Sequence, residues 1–486
     1  MIELHIENLY CRVNKKKATK EELNALSDVL SIKVPGYFFS KKWKEGLWDG
    51  RRRFFNRLTG TFYAGLIGFA ERRLPNFEIA EIDERVQVLS KRQPLNLIGT
   101  QYRSYQSRML LEAMAYPRGI IAGATNSGKT EVACGMIQVL GLPANFLTHR
   151  KTLLHQTRKR FEHRLGRKVG ILGDGYDEIQ DINILSVPSL SGRLTKDDEK
   201  KKKKKSSYDE RYVKIIKEYP VLFVDECHHI SAATFETCLK ESGAYYRYGL
   251  SATPLLRDDI SNMLVRGLLG DTVTEVTDEE LEALGISAIP SVYLHLVEKP
   301  ELPKHYPYDK AYDDGIVYNA YRNKLIAADA KRFFDKGQSV FIIVFRIEHG
   351  WQIKGFLDEL GIESAYINGE EDSEYNLAVL EDFKNKKLRC VVSSLISDEG
   401  LDIPAMNILI LGVGDKSVLK IIQRIGRGRR QKGEGEENVL TVIDFVDLFS
   451  PYLKKHSTSR LTYYIDKGLK MYEVKDANWE TVVRLQ

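Results

Sequence analysis

Cysteine is scarce in this chain: Cys11, Cys134, Cys227, Cys238 and Cys390 are the only five in 486 residues, and no two form a C-x-x-C pair. An odd, scattered set argues against a disulfide framework and a cysteine-ligated zinc, and fits reduced thiols in a cytoplasm. Long apolar runs are missing too. None approaches the roughly 18 residues that a membrane helix needs, so no membrane partner is expected. The opening MIELHIENLY lacks the basic-then-apolar pattern of an export signal. A strong excess of either charge is also absent, since 73 Lys and Arg stand against 67 Asp and Glu, a net +6. With 43% hydrophobic and 29% charged residues, the composition is that of a globular protein, too long for one core and divisible into about three domains.

What is present begins with Gly123-Ala124-Thr125-Asn126-Ser127-Gly128-Lys129-Thr130, which fits G-x-x-x-x-G-K-[ST]. Ile120 and Ile121 before it read as a buried strand. Val132, Ala133, Met136, Ile137 and Leu140 behind it recur at helical spacing, closed by Gly141 and Pro143. Strand, glycine loop and helix are what phosphate binding requires. The glycines let backbone N–H groups turn inward, and the helix N-terminus adds partial positive charge. Thr125 and Ser127 line the loop, Lys129 is placed for the β- and γ-phosphates of a nucleoside triphosphate, and Thr130 for Mg²⁺. Just upstream, Gln106 either presents its amide to the adenine or is a surface helix residue; spacing alone leaves both open.

Residues 95–290 alternate apolar runs with helical patterns, which predicts a parallel sheet flanked by helices. The run 221–224 leads into Asp225-Glu226-Cys227-His228. Two carboxylates ending a buried strand are costly unless they hold a metal or a proton. Asp225 therefore reads as the Mg²⁺ carboxylate, and Glu226 as the base that orients and deprotonates the attacking water. A second strand–helix alternation runs over 317–450 without a phosphate loop. It carries Asp398-Glu399-Gly400-Leu401-Asp402-Ile403-Pro404 and later Gln423-Arg424-Ile425-Gly426-Arg427-Gly428-Arg429-Arg430. Four arginines in seven residues with two glycines make a poor helix and a good anion clamp, with Arg427 and Arg430 as arginine fingers for the γ-phosphate; the bland reading is a basic surface loop.

Charge is unevenly spread. Residues 1–92 hold 18 Lys and Arg against 12 Asp and Glu, a surplus equal to that of the entire chain. Lys41, Lys42 and Trp43, then Arg51, Arg52 and Arg53, interleave cations with rings, as a nucleic-acid surface does. The alternative is a hairpin turning at Thr59-Gly60 with its arginines simply in water, and an alternating strand satisfies both. A run of six lysines at 200–205 cannot pack and is expected to be a mobile loop, either without a role or a non-specific phosphate grip.

Asp225-Glu226-Cys227-His228 resembles the DEx[HD] box of superfamily 2 helicases, and Ser251-Ala252-Thr253-Pro254 resembles their SAT motif. Gln423, Gly426, Arg427 and Arg430 resemble the family's motif VI, and 393–404 its motif V. The match spans 100–450. It implies two tandem RecA-like parallel-sheet domains, ATP and Mg²⁺ as cofactors, and nucleic acid as partner. It also implies ribose and backbone contacts from Gly400 and Asp402, and coupling of hydrolysis to the nucleic-acid path through His228, Ser251, Thr253 and Gln423. Gly46-Leu47-Trp48-Asp49-Gly50-Arg51 extends the resemblance to the phage UvsW-type helicases that remodel forks and branched DNA.

The α/β architecture expected is a small α+β nucleic-acid-binding domain at 1–95, RecA-like domains at 96–297 and 317–455, a linker at 298–316 and a short helical tail at 456–486. The activity expected is ATP-dependent unwinding or branch migration by a monomeric motor on forked, branched or single-stranded DNA, in the host cytoplasm if the gene is a phage's. The alternatives are a duplex translocase, or an RNA or R-loop helicase acting on hybrids, without general strand separation. An NTP-dependent switch is disfavoured by the arginines and by Glu226.

Overall fold

A computed structural model describes residues 1–485, apart from 125–126, 150, 196–207, 231–232, 253, 256–259, 285, 287–288, 304, 395–405, 416–438, 467 and 477–478. The chain divides into two units, Met1–Thr277 and Asp278–Gln486.

The first unit opens with β1 (Ile2–Ile6), β2 (Tyr10–Val13), β3 (Ser31–Lys33), β4 (Arg51–Arg53), β5 (Thr61–Tyr63) and β6 (Ile79–Asp83). Four of these form a sheet in the order β5-β2-β1-β6, while β3 and β4 pair by themselves as an antiparallel ribbon. The turn expected at Thr59-Gly60 exists, with Asn56 N–H bonded to the Thr61 carbonyl at 2.8 Å. It does not make a hairpin of β4 and β5, because their pairing partners are β3 and β2 respectively.

Then come β7 (Arg118–Gly123), β8 (Ala144–Thr148), β9 (Gly170–Gly173), β10 (Tyr176–Glu178), β11 (Ile182–Ser186), β12 (Val221–Asp225), β13 (Tyr246–Ser251) and β14 (Thr272–Val276). They build one sheet in the order β10-β9-β11-β8-β12-β13-β7-β14. Only β10 runs antiparallel among these described strands. Strands such as β8 and β11 are buried at every position, as expected where helices cover both faces.

The N-terminal segment is not an independent domain at 1–95. Its core of Ile2, Leu4, Phe62, Leu66 and Phe69 continues into Met263 and Leu264 of the helix Ile260–Leu269. The contact is close enough that a Cβ on Gly65 would overlap the Arg266 carbonyl, and one on Gly267 would meet the Tyr63 ring. Arg118 donates to the Asn8 carbonyl (2.7 Å), and the Asn8 amide donates to the Gly243 carbonyl (2.9 Å).

The second unit holds β15 (Ile289–Val297), β16 (Val340–Ile343), β17 (Ala365–Ile367), β18 (Cys390–Ser393), β19 (Ile408–Leu411), β20 (Val439–Asp447), β21 (Lys470–Val474) and β22 (Val482–Arg484), in the order β17-β18-β16-β19-β20-β15-β21-β22. Three boundaries shift as a result. The expected first motor domain ended at 297, yet β15 is paired along its full length with β20 and belongs here. The expected linker 298–316 contains the helix Tyr308–Tyr312 followed by a wide helical turn, with Tyr312, Ile316 and Val317 packed on Leu453. The expected helical tail instead follows the helix Pro451–Asp466 with β21 and β22, which extend the sheet.

This unit is tied by fully buried ion pairs. Arg322 Nε donates to Asp447 Oδ1 at 2.9 Å and its Nη1 to the Gly412 carbonyl at 2.7 Å, with the guanidinium over the Phe445 ring. Arg460 Nε donates to Asp444 Oδ2 at 2.9 Å, and the Tyr464 hydroxyl donates to the same oxygen at 2.8 Å. Breaking such a pair on one side leaves an uncompensated charge in the core. Arg322→Ala should therefore cost about 3–5 kcal/mol, read as a fall in the urea midpoint of this unit. Arg322→Met with Asp447→Leu should recover most of that loss; no recovery would mean that shape, not charge, sets the cost.

Candidate functional site

Three strands adjacent in the first sheet, β12, β13 and β7, run parallel and end level with one another. Asp225 is in register with Leu250, and Ser251 with Ala122. The glycine loop, the paired carboxylates and the serine of the SAT sequence thus emerge side by side at one sheet edge. Sites in open parallel sheets form at such carboxyl ends.

The loop is shaped for a group larger than its own side chains. Gly128 precedes the helix Lys129–Leu140 with φ +81°, a left-handed conformation that favours glycine, and a Cβ there would collide with the Gln106 amide. A Cβ on Gly123 would lie 2.5 Å from Ser127 Oγ. That hydroxyl is fully buried and has no hydrogen-bond partner among the described residues, which costs stability unless a ligand satisfies it. Lys129 Nζ donates to the Gly123 carbonyl at 2.7 Å and to the Ala124 carbonyl at 3.2 Å, so the ammonium already lies over the loop. Thr130 is in the first helical turn, half-buried. Thr125 lies outside the described residues.

Gln106 proves to be buried, not a surface residue. Its Oε1 accepts from Arg103 N–H at 3.0 Å and its Nε2 donates to the Ser127 carbonyl at 3.2 Å. The amide thus spans the start of its own helix and the phosphate loop, a buttressing role that spacing could not reveal. Glu131, which sequence reasoning did not single out, is gripped by Arg164 at 3.0 Å. Its only signal was an acidic residue in the first turn of the loop's helix.

Asp225 ends β12, and Glu226 follows in a left-handed conformation at φ +48°. A non-glycine residue held there is strained, a state that clusters at functional sites. Burial, and then the neighbouring Glu226 carboxylate, push the Asp225 carboxyl up to about 7, while Lys129 pulls it down. Hard oxygen donors at Asp225 and Thr130 suit Mg²⁺, which characteristically takes few protein ligands and completes its shell from phosphates and water. His228 Nδ1 lies 3.0 Å from Ser251 Oγ and 3.3 Å from Glu226 Oε2. Two of the four residues expected to couple hydrolysis to the nucleic-acid path, His228 and Ser251, are therefore in direct contact, and His228 also touches the carboxylate expected to be the base. Thr253, Gly400, Asp402, Gln423, Arg427, Arg430 and the lysine run 200–205 lie outside the described residues.

Comparison with known proteins accords with this geometry. Residues 99–256 match the family described as "Type III restriction enzyme, res subunit", and 324–432 match "Helicase conserved C-terminal domain". The chain belongs to superfamily 2 of the helicases. It is similar to the ATP-dependent DNA helicase uvsW of Enterobacteria phage T4, 24% identical over 526 residues covering 98% of this chain and 99% of that protein. A protein of the Sulfolobus islandicus filamentous virus, named as a helicase, is 27% identical over 359 residues; the match covers 68% of this chain but 61% of the viral protein. The fold is that of tandem RecA-like domains. A Vibrio vulnificus fragment described as an HsdR subunit of a type I restriction enzyme is 16% identical at a TM-score of 0.56, covering 79% of this chain and 70% of that one.

The φ of Gly128 supplies a test that leaves the charged groups untouched. Forcing alanine into a left-handed conformation costs about 1–2 kcal/mol. Gly128→Ala should therefore weaken nucleotide binding by about tenfold, measured by titration with a fluorescent ATP analogue. Unchanged affinity would mean that this loop does not hold the phosphates.

Proposed function

We propose that this superfamily 2 member is an ATP-dependent DNA helicase acting on forked or branched substrates, in replication, recombination or repair. The observation that carries the proposal is the meeting of the Gly123–Lys129 loop, Asp225-Glu226 and the His228–Ser251 contact at one sheet edge, in the unit that also carries the basic N-terminal segment.

In this reading Lys129 and the loop N–H groups hold the β- and γ-phosphates, and Thr130 and Asp225 would hold Mg²⁺, which neutralises phosphate charge when bound. Glu226 accepts the proton of the attacking water. Arg427 and Arg430 meet the charge that grows on the γ-phosphate. His228, touching both Glu226 and Ser251, is placed to report the state of the base to the SAT segment. Lys41, Lys42, Trp43 and the β4 arginines take the phosphates and bases of the substrate. Arg52 and Arg53 are exposed, and Arg53 is paired to Asp49 at 2.5 Å, so Arg52 is the freer phosphate ligand of the two.

A DNA translocase that moves on duplex without opening it would use the same ATP site. ATPase stimulation compared across single-stranded DNA, duplex, fork, four-way junction and RNA, together with strand displacement, separates the two readings. Failure of every nucleic acid to stimulate turnover would refute both.

Lys129→Ala should abolish hydrolysis, and Glu226→Gln should keep ATP binding while removing most turnover, since an amide cannot accept the water's proton. Wild-type turnover by Glu226→Gln would reassign the base. Arg427→Ala should lower the rate by about 10³ or more while leaving ATP affinity largely intact.

The N-terminal segment shares its core with the first motor sheet, so point replacements test it more cleanly than deletion. Changing Arg51, Arg52 and Arg53 together to alanine should flatten the log–log salt dependence of fork binding by roughly 0.9 per lost phosphate contact. An unchanged slope would leave these arginines as a solvated strand face.

A further inference from the structure

Residues 91–103, which lead into the helix of Gln106, run as a strap along the phosphate-loop helix Lys129–Leu140. Lys91 N–H bonds to the Leu140 carbonyl at 2.9 Å, and Gln93 N–H to the Val139 carbonyl at 2.8 Å. Asn96 exchanges two bonds of 2.9 Å with the Gln138 amide. Tyr102 reaches the other end of the same helix, its hydroxyl donating to the Glu131 carbonyl and, at 3.3 Å, to that of Val132. A Cβ on Gly135 would overlap that hydroxyl, so the strap lies as close as the helix permits.

Midway, one side chain holds strap and helix together. Arg164, in the last turn of the helix Lys151–Leu165, uses all three nitrogens of its guanidinium. Nη1 donates to the Ile98 and Gly99 carbonyls, both at 3.0 Å, while Nε donates to Glu131 Oε2 at 3.0 Å and Nη2 to Oε1 at 3.2 Å. Ile98 N–H returns to the Arg164 carbonyl at 2.9 Å. Gly99, at φ +69°, leaves the guanidinium its room, since a Cβ there would lie 3.3 Å from Nη1 and 3.2 Å from His163 Nε2. Both members of the ion pair are largely shielded, Arg164 at 20% and Glu131 at 17% side-chain exposure. Bonding a carboxylate and two carbonyls at once needs the planar fork of arginine; an ammonium is a point charge.

What this clamp serves follows from the direction that a bound nucleotide must take. Its γ-phosphate belongs beside Asp225 and Glu226, which lie on the β13 side of β7. The other neighbour of β7 is β14, and the helix Ser104–Met114 is tied to it, Arg108 donating to the Glu275 carbonyl at 3.3 Å. The loop N–H groups cradle the α- and β-phosphates. Ribose and base therefore leave on this second side, over the first turn of the loop's helix, where the strap passes. A lone Glu131 carboxylate, one residue beyond Thr130, would repel the triphosphate there. Arg164 cancels that charge and converts it into a hold on the main chain of Ile98 and Gly99.

We propose that Arg164, acting through Glu131, is a positioning residue for the base of the bound nucleotide. It fixes the main chain of residues 98–102 at the separation from the phosphate loop that ribose and base require. This role rests on the reading of the loop as an ATP site, and extends that site to a helix outside the loop, the carboxylate pair and the segment of Gln106.

The experiment uses the full-length chain with two variants, Arg164→Lys, and Arg164→Met combined with Glu131→Gln. Each keeps the net charge beside the loop and leaves no lone half-buried charge, so the fold is spared. In both, the KM for ATP should rise about tenfold, the scale of one lost hydrogen bond to a charged group, while kcat at saturating ATP holds. Calorimetric titration with magnesium tripolyphosphate, which has the phosphates and no base, should give the same Kd for wild type and both variants. An equal loss of tripolyphosphate and ATP affinity would make the pair a brace of the phosphate loop and overturn the role. An unchanged KM, whatever the thermal midpoint, would reduce it to a structural ion pair. Wild type that binds tripolyphosphate as tightly as ATP would show that no base is gripped, overturning the role and leaving the phosphate loop as read. Wild type that binds neither would refute the ATP site and the role together.

Discussion

Placing two carboxylates at the end of a strand buried on both faces is the constraint on which this molecule turns. Asp225 leaves β12 half-buried, and desolvation penalises its charge while the Lys129 ammonium favours it. The sheet meets that demand by arranging three neighbouring strand ends at one level. Lys129 arrives from the loop after β7, His228 and Ser251 meet across β12 and β13, and the strained Glu226 turns the chain away from the strand axis. Had β13 been inserted elsewhere in the order, Ser251 would not meet His228. Strand order, more than any single side chain, creates the site.

The second unit shows a different use of buried charge. Arg322 and Arg460 each neutralise one carboxylate of β20 and also bond to main-chain carbonyls. Such pairs contribute little net stability over apolar packing, yet they punish misalignment severely. They fix β20 against the ends of the elements around it, so the sheet's register is specified by charge as well as by side-chain alternation.

The phosphate loop, its flanking strand and helix, and the carboxylate pair were legible because each depends on local spacing within a dozen residues. What could not be read depends on distant pairing. The 289–297 run looked like the close of the first motor, since nothing in its own residues says that β20, about 150 positions later, is its partner. The tail, with Tyr463, Tyr464, Lys467 and Lys470, read as a short helical appendage; β21 and β22 are short edge strands whose identity comes from the sheet that accepts them. Gln106 was found as a residue of interest, but its buried contacts with Ser127 and Arg103 needed coordinates. The basic stretch before residue 60 was visible as composition, while its division into a ribbon and a separate sheet was not.

The glycine-to-carbonyl contact between Gly65 and the helix Ile260–Leu269 decides how force travels through the first unit. A domain held by a flexible tether averages out the motions of its neighbour, and its tip samples a cloud of positions. Here the backbones themselves touch, with no side chain between them to act as a cushion. The N-terminal segment and this helix therefore move as one body, and any side chain larger than hydrogen at position 65 would pry them apart.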